Sequence, residues 1–171
     1  HAGNAYPMTT LAEIYEFEDP TARDAEQVVC NGNEALGYGI LAAGVRFGAG
    51  YPITPWSDIM ELLRRELPKY DGIFVQCEDE IAAVSMAIGA SWGGRCAITG
   101  SSGPGIALKG EAIGWAVMAE IPLIVVDVQR GGPSTGMPTN VEQSDLNIAC
   151  FGGHGDSPRV VLAPASVEDC F

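Results

Sequence analysis

Basic residues are scarce in this chain. Nine Lys and Arg stand against 22 Asp and Glu, for a net charge of −13, and the only adjacent basic pair is Arg64-Arg65. Neutralising phosphates needs clustered cations, so nucleic acid is not expected as a partner, and an anionic membrane surface is disfavoured on the same ground. Long apolar runs are missing too: none reaches 18 residues, and no signal-peptide pattern is present, so a soluble, cytoplasmic protein is expected. Cysteine pairs are absent. Cys30, Cys77, Cys96, Cys150 and Cys170 are scattered without a C-x-x-C, which fits reduced thiols and not a disulfide framework, a zinc site or an iron–sulfur site.

The chain is 47% hydrophobic and 18% charged over 171 residues, enough for one domain with a buried core. Residues 1–27 carry six acids, one arginine and no sustained period, so they read as an acidic linker with a short apolar anchor at Leu11 to Phe17. The ordered domain is expected over 28–171. The chain opens on His1 and stops soon after an expected strand, as a fragment of a longer polypeptide would, so the domain is read as truncated at its C-terminal end.

Helical and strand patterns alternate from there. Asn33 is positioned to cap a helix over Glu34–Ala43, followed by a strand at Arg46–Gly50 and a helix from Pro55 through Glu66. Gly72–Gln76 reads as a buried strand, Glu78–Trp92 as a helix, Arg95–Thr99 as a strand and Ile106–Ala119 as a helix. Pro122–Val128 is almost unbrokenly apolar, the pattern of a central parallel strand covered on both faces. A Gly/Pro loop, a helix at Val141–Ala149 and a last strand at Arg159–Ala163 complete the series. Such alternation implies βαβ units: an α/β fold with a mainly parallel sheet and helices on both faces, whose ligands bind beyond the carboxyl ends of the strands.

Three motifs fall at such ends. Gly50-Tyr51-Pro52-Ile53-Thr54-Pro55 is a turn stiffened by two prolines, where Pro55 biases Thr54 toward extended backbone and Thr54 is also a candidate helix cap. Glu80 lies 26 residues after Thr54, in Gln76-Cys77-Glu78-Asp79-Glu80. All three acids complement a helix dipole, but the small apolar stretch Ile81–Ala90 would also desolvate the Glu80 carboxyl and favour its neutral form. Gln129-Arg130-Gly131-Gly132-Pro133-Ser134-Thr135-Gly136 follows the apolar run. Arg130 offers a planar fork for a carboxylate, or a salt bridge to Asp127 or Glu142.

Two further segments allow ordinary explanations. Gly100-Ser101-Ser102-Gly103-Pro104-Gly105 lacks the Gly-Lys-Ser/Thr of a phosphate-binding P-loop and the trailing glycine of a nucleophile elbow, which leaves a ligand-side wall or plain turn chemistry. A hydrolase using Ser102 and His154 is correspondingly weak. His154, in Gly152-Gly153-His154-Gly155-Asp156, reads as a satisfied turn residue or the edge of a site. Trp56, Trp92 and Trp115 read as core or interface aromatics.

Taken together, the Tyr-Pro-Ile-Thr-Pro turn, the E-x-x-A-x-x-x-A-x-G-A run from Glu80 to Ala90 and the Arg-Gly-Gly-Pro-Ser-Thr-Gly loop resemble the pyrimidine-binding domain of thiamine-diphosphate-dependent 2-oxoacid:ferredoxin oxidoreductases, from about Gly32 to Val167. The resemblance implies the thiamine-diphosphate-binding fold and oxidative decarboxylation of a 2-oxoacid to an acyl-coenzyme A, with electrons passed to ferredoxin. It implies that Glu80 bonds N1′ of the aminopyrimidine and so promotes loss of the C2 proton. Pro52, Ile53, Thr54 and Ser102 would line the cofactor, while Thr54 and Arg130 would meet the substrate carboxylate. The Gly-Asp-Gly…Asn signature for the magnesium diphosphate is missing here. The resemblance therefore places Mg²⁺, the diphosphate site and the iron–sulfur cluster on a beta subunit, in a hetero-oligomer. The wording of the motifs is closest to the 2-oxoglutarate type, with pyruvate, branched-chain 2-oxoacids or indolepyruvate as alternatives, and a noncatalytic scaffolding module as a different class.

Overall fold

The computed structural model describes residues 28–171; the expected acidic linker lies outside the described residues. The described elements run α1 (Gly32–Ala42), β1 (Phe47–Gly50), α2 (Trp56–Glu66), β2 (Ile73–Gln76), α3 (Glu80–Trp92), β3 (Ala97–Ser101), α4 (Gly103–Met118), β4 (Ile124–Asp127), α5 (Asp145–Phe151) and α6 (Val167–Cys170), with a short 3-10 turn at Leu67–Tyr70. The four strands form one parallel sheet in the order β2-β1-β3-β4. Gly50 is level with Gln76 on one side and with Gly100 on the other, so the carboxyl ends of β1, β2 and β3 share one edge.

Side chains leave the sheet with period 2 and build two separate cores. On one face Phe74, Ile98, Val126 and Val128 pack with Ile40 of α1 and with Trp56, Ile59 and Leu63 of α2. On the other, Phe47, Ala49 and Val75 meet Ala83 of α3, while Val84 and Ile88 of α3 pack with Ala116 of α4 and Ile121. The result is the expected three-layer α/β arrangement.

Trp56 fixes the spacing of the first core. It is fully buried, and its ring occupies the space where side chains at Gly50 and Gly100 would stand. A Cβ at Gly50 would come within 2.9 Å of the indole nitrogen, and one at Gly100 would overlap the ring. Trp92 and Trp115 differ from Trp56: they are 75% and 47% exposed on α3 and α4.

Several local expectations need correction. The cap of α1 is Asn31, not Asn33: Asn31 accepts from Glu34 N at 2.9 Å and the Glu34 carboxylate accepts from Asn31 N at 3.0 Å, a reciprocal capping box. Asn33 instead lies in the first turn and reaches Asp58 Oδ2 at 3.1 Å. α3 begins at Glu80, two residues late, because Asp79 caps it through Ala82 N at 2.7 Å. Among the described residues β4 has β3 as its only neighbouring strand and stands at an edge. None of its residues is fully buried and Ile124 is 42% exposed, so the expected central strand covered on both faces is not what the apolar run forms. Arg159–Ala163 forms no strand: with Val160 and Leu162 89% and 85% exposed, this segment has neither a ladder partner nor a face to cover.

Replacing Gly100 by Ala should cost about 1–3 kcal/mol by forcing Trp56 off its seat. Gly114→Ala, on α4 with nothing within 4 Å of its added methyl, should be neutral or stabilising by up to about 1 kcal/mol. Paired urea-denaturation curves would check both.

Candidate functional site

The carboxyl ends of the strands gather the residues singled out from sequence. At the end of β1, Tyr51–Pro55 turns into α2, with Ile53 tucked against the first core while Pro52 and Thr54 stay exposed. Thr54 is not the cap of α2: that position is Pro55, and no side-chain bond closes it. The turn is held from two sides. Asn33 Nδ2 donates to Pro55 O at 3.5 Å, and Arg130 Nη1 donates to Thr54 O at 2.9 Å.

Arg130 is buried, at 6% exposure. Its second terminal nitrogen donates to Thr135 O at 2.8 Å, so the guanidinium ties its own loop to the proline turn 76 residues away in sequence. Neither salt bridge weighed from sequence forms: Glu142 accepts instead from Gly132 N at 2.8 Å, and Asp127 has no cationic partner among the described residues. Arg130 Nε is buried and unpartnered, so one donor of the fork remains available.

Glu80 opens α3 and is 8% exposed. Its side chain lies against Gly105, where an added Cβ would come within 2.8 Å of Glu80 Cγ. Gly105 is thus required for the carboxylate to occupy this place between α3 and the start of α4. No hydrogen bond to the Glu80 carboxylate forms among the described residues. Ser102 is fully buried at the N-cap of α4, and its hydroxyl, like that of Ser101, has no partner. A buried acid and two unpartnered buried hydroxyls beside a glycine-lined helix start are suited to a polar heterocycle.

Lys109 was not singled out from sequence, and Asp127 was weighed only as a salt-bridge partner of Arg130. Lys109, on α4, is fully buried; its ammonium donates to Thr99 Oγ1 at 2.9 Å and to the main-chain oxygen of Glu80 at 3.2 Å. Burial pushes it down to about 8, against the opposing pull of Glu80, Cys77 and Asp79. Asp127 ends β4, and burial together with the Asp145 charge pushes its carboxyl up to about 7. Asp145, at the start of α5, is buried against Gly103, and desolvation raises it although the Gly103 and Arg130 backbones and the Arg130 charge favour the anion. A lone lysine inside an apolar helix and an acid closing an apolar strand were the available signals.

His154 is remote from this cluster in its bonding. It meets Glu111 at 2.8 Å, with both side chains more than four-fifths exposed, and it makes no contact with Ser102. The hydrolase arrangement is therefore not formed. All five cysteines are free. Among the described residues no helix is long and apolar enough to cross a membrane.

Comparison with known proteins places this geometry. Residues 38–171 match the family model described as pyruvate flavodoxin/ferredoxin oxidoreductase, thiamine diphosphate-binding. The 2-oxoglutarate synthase subunit KorA of Methanocaldococcus jannaschii is 52% identical over 140 residues, covering 82% of this chain and 38% of the relative. The 2-oxoglutarate oxidoreductase subunit KorA of Mycobacterium tuberculosis is 48% identical, covering 99% of this chain and 27% of the relative. Among solved structures, the 2-oxoglutarate:ferredoxin oxidoreductase from Magnetococcus marinus, with 2-oxoglutarate, coenzyme A and succinyl-CoA bound, superimposes with a TM-score of 0.82 at 47% identity. That match covers 95% of this chain and 29% of the other. The chain thus spans well under half the length of these relatives.

The Asp127 carboxyl binds protons more tightly folded than unfolded, so its contribution to stability is present at low pH and lost as pH rises from about 4 to about 7. Asp127→Asn, which mimics the protonated form, should flatten that decline, a difference on the order of 2 kcal/mol at pH 8. Denaturation midpoints measured across pH for both proteins would check it.

Proposed function

Because the chain belongs to the thiamine-diphosphate-binding family of the pyruvate flavodoxin/ferredoxin oxidoreductases, we propose that it forms the pyrimidine-side wall of a 2-oxoglutarate:ferredoxin oxidoreductase. The observation that carries this reading is Glu80: a carboxylate 8% exposed at the start of α3 with no protein donor bound to it among the described residues. The names of the relatives support 2-oxoglutarate as the substrate. In the whole assembly 2-oxoglutarate and coenzyme A become succinyl-coenzyme A and carbon dioxide, and two electrons leave to ferredoxin. A beta subunit would carry the diphosphate site, Mg²⁺ and the iron–sulfur cluster, in a cytoplasmic hetero-oligomer.

Thiamine diphosphate, when bound, supplies the nucleophilic carbon and the electron sink that decarboxylation requires. The roles of this chain are narrower. Glu80 holds a proton at N1′ of the pyrimidine, in a place dry enough for that bond to be strong. Ile53 and Pro52 line the ring edge, and Ser102 supplies a hydroxyl free of other duties. Arg130, still holding Thr54 O, presents its free edge to the 2-oxoacid carboxylate, with the Thr54 hydroxyl beside it. Orientation of two reactants against one rigid turn is the main contribution.

Two substitutions in the complete protein with its partner test this. Glu80→Gln should retain cofactor within a few-fold of wild-type affinity yet slow exchange of the C2 proton by about 100-fold or more. Unchanged exchange would remove the basis of the proposal. Arg130→Ala should raise the KM for 2-oxoglutarate about 10- to 100-fold, as loss of charge-assisted hydrogen bonds predicts, with cofactor affinity nearly unchanged. A panel of 2-oxoacids with viologen as acceptor would identify the substrate.

A further inference from the structure

An ammonium group buried completely in a protein core is costly, and a methionine of similar length would fill the same space without that cost. Lys109 is such a group: 0% exposed, enclosed by α3, α4 and β3, with two of its three protons given to Thr99 Oγ1 and Glu80 O. Both acceptors are informative. Thr99 is itself fully buried on the central strand β3, so it is a fixed point. Glu80 O belongs to the first residue of α3, the residue whose side chain faces the site. The lysine therefore joins the sheet to the backbone of Glu80, and the Glu80 charge attracts its ammonium.

We propose that Lys109 is a positioning residue for Glu80: its ammonium locks the first turn of α3 to β3. The inference rests on the reading of Glu80 given above. The ionisable groups facing Lys109 are Glu80 and Asp79 from α3 and Cys77 from the segment after β2; β3 presents only the neutral Thr99. Cys77 is held as the neutral thiol by desolvation, so the carboxylates set the balance. With Lys109 charged, the main-chain oxygen of Glu80 is anchored to its ammonium. As pH rises past about 8 the ammonium loses its proton, and the charge is lost.

The test uses the complete protein assembled with its partner chain and compares wild type with Lys109→Met, Thr99→Val and Glu80→Gln. Exchange of the C2 proton of bound thiamine diphosphate into deuterium oxide is followed by quench and NMR between pH 6.5 and 9.5, and thermal unfolding of the cofactor-free assembly is followed over the same range. Wild type should show exchange falling above about pH 8. Lys109→Met should exchange about tenfold more slowly at pH 7, as loss of the two charge-assisted hydrogen bonds that anchor the start of α3 predicts, and should lack the limb near pH 8.

The unfolding arm reports on burial of the charge. Because the folded pKa lies below that of the unfolded chain, wild type gains stability as pH rises beyond 8, and Lys109→Met should lack that gain while being at least as stable at pH 7. Thr99→Val should slow exchange severalfold, and it decides the matter if Lys109→Met does not assemble. Wild-type exchange rate and pH profile in Lys109→Met, or in Thr99→Val where that variant alone assembles, would overturn the proposal while leaving the function intact. Unaltered exchange in Glu80→Gln would overturn both.

Discussion

The proline turn owes its place to the seating of one indole ring over two glycines, one on each of two neighbouring strands. Trp56 begins α2, and its ring lies over Gly50 of β1 and Gly100 of β3. With those positions vacant, helix and sheet approach closely, and the five residues between Gly50 and Trp56 have little freedom in how they span the gap. Asn33 from α1 and Arg130 from the loop after β4 then bond the two carbonyls of the turn. The turn is rigid because packing sets its ends and two side chains from distant segments hold its middle, whereas proline alone would restrict only φ.

The opposite face of the sheet shows a different economy. There Ala49, Ala83 and Gly105 keep α3 and α4 close enough that polar groups, not large aliphatic ones, fill the upper part of the layer. Glu80, Lys109, Thr99, Ser101 and Ser102 are all buried on or beside this face. Replacing such groups by apolar ones commonly stabilises a protein, so their presence argues for a duty other than holding the fold. The net charge of −13 has little to do with this. Locally, two buried cations, Lys109 and Arg130, stand among Glu80, Asp127 and Asp145. This local balance, more than the surface charge, determines which protonation states the site can hold.

Much of this was legible in the residues because the signals were local. The double-proline turn, the acid opening a small-residue helix and the arginine after an apolar run each define a strand end, and parallel topology brings strand ends to one edge. What escaped depended on tertiary neighbours. Lys109 is a lone lysine in an apolar helix, and nothing in the sequence shows that α3 and β3 enclose it. Asp127 closes an apolar run that reads as a central strand, and only the strand order shows that it lies at an edge. The expected cap at Asn33 lay two residues too late, because the reciprocal bond with Glu34 that fixes the cap at Asn31 is a matter of local geometry.

The exposed side of the cluster completes the physical picture. Glu80, Arg130, Ser102 and Asp145 are buried from beneath by the sheet and the helix starts, while Thr54, Pro52 and most of the 134–144 loop face outward. One wall is thus dry and preorganised, and the other is open. A carboxylate acting on a heterocycle needs low dielectric on both sides, because water admitted from the open side would screen the bond it makes. On the proposed reading of Glu80, a second surface across the proline turn and the Gly131–Asn140 loop is required. This chain spans 27–38% of the length of the curated relatives compared with it.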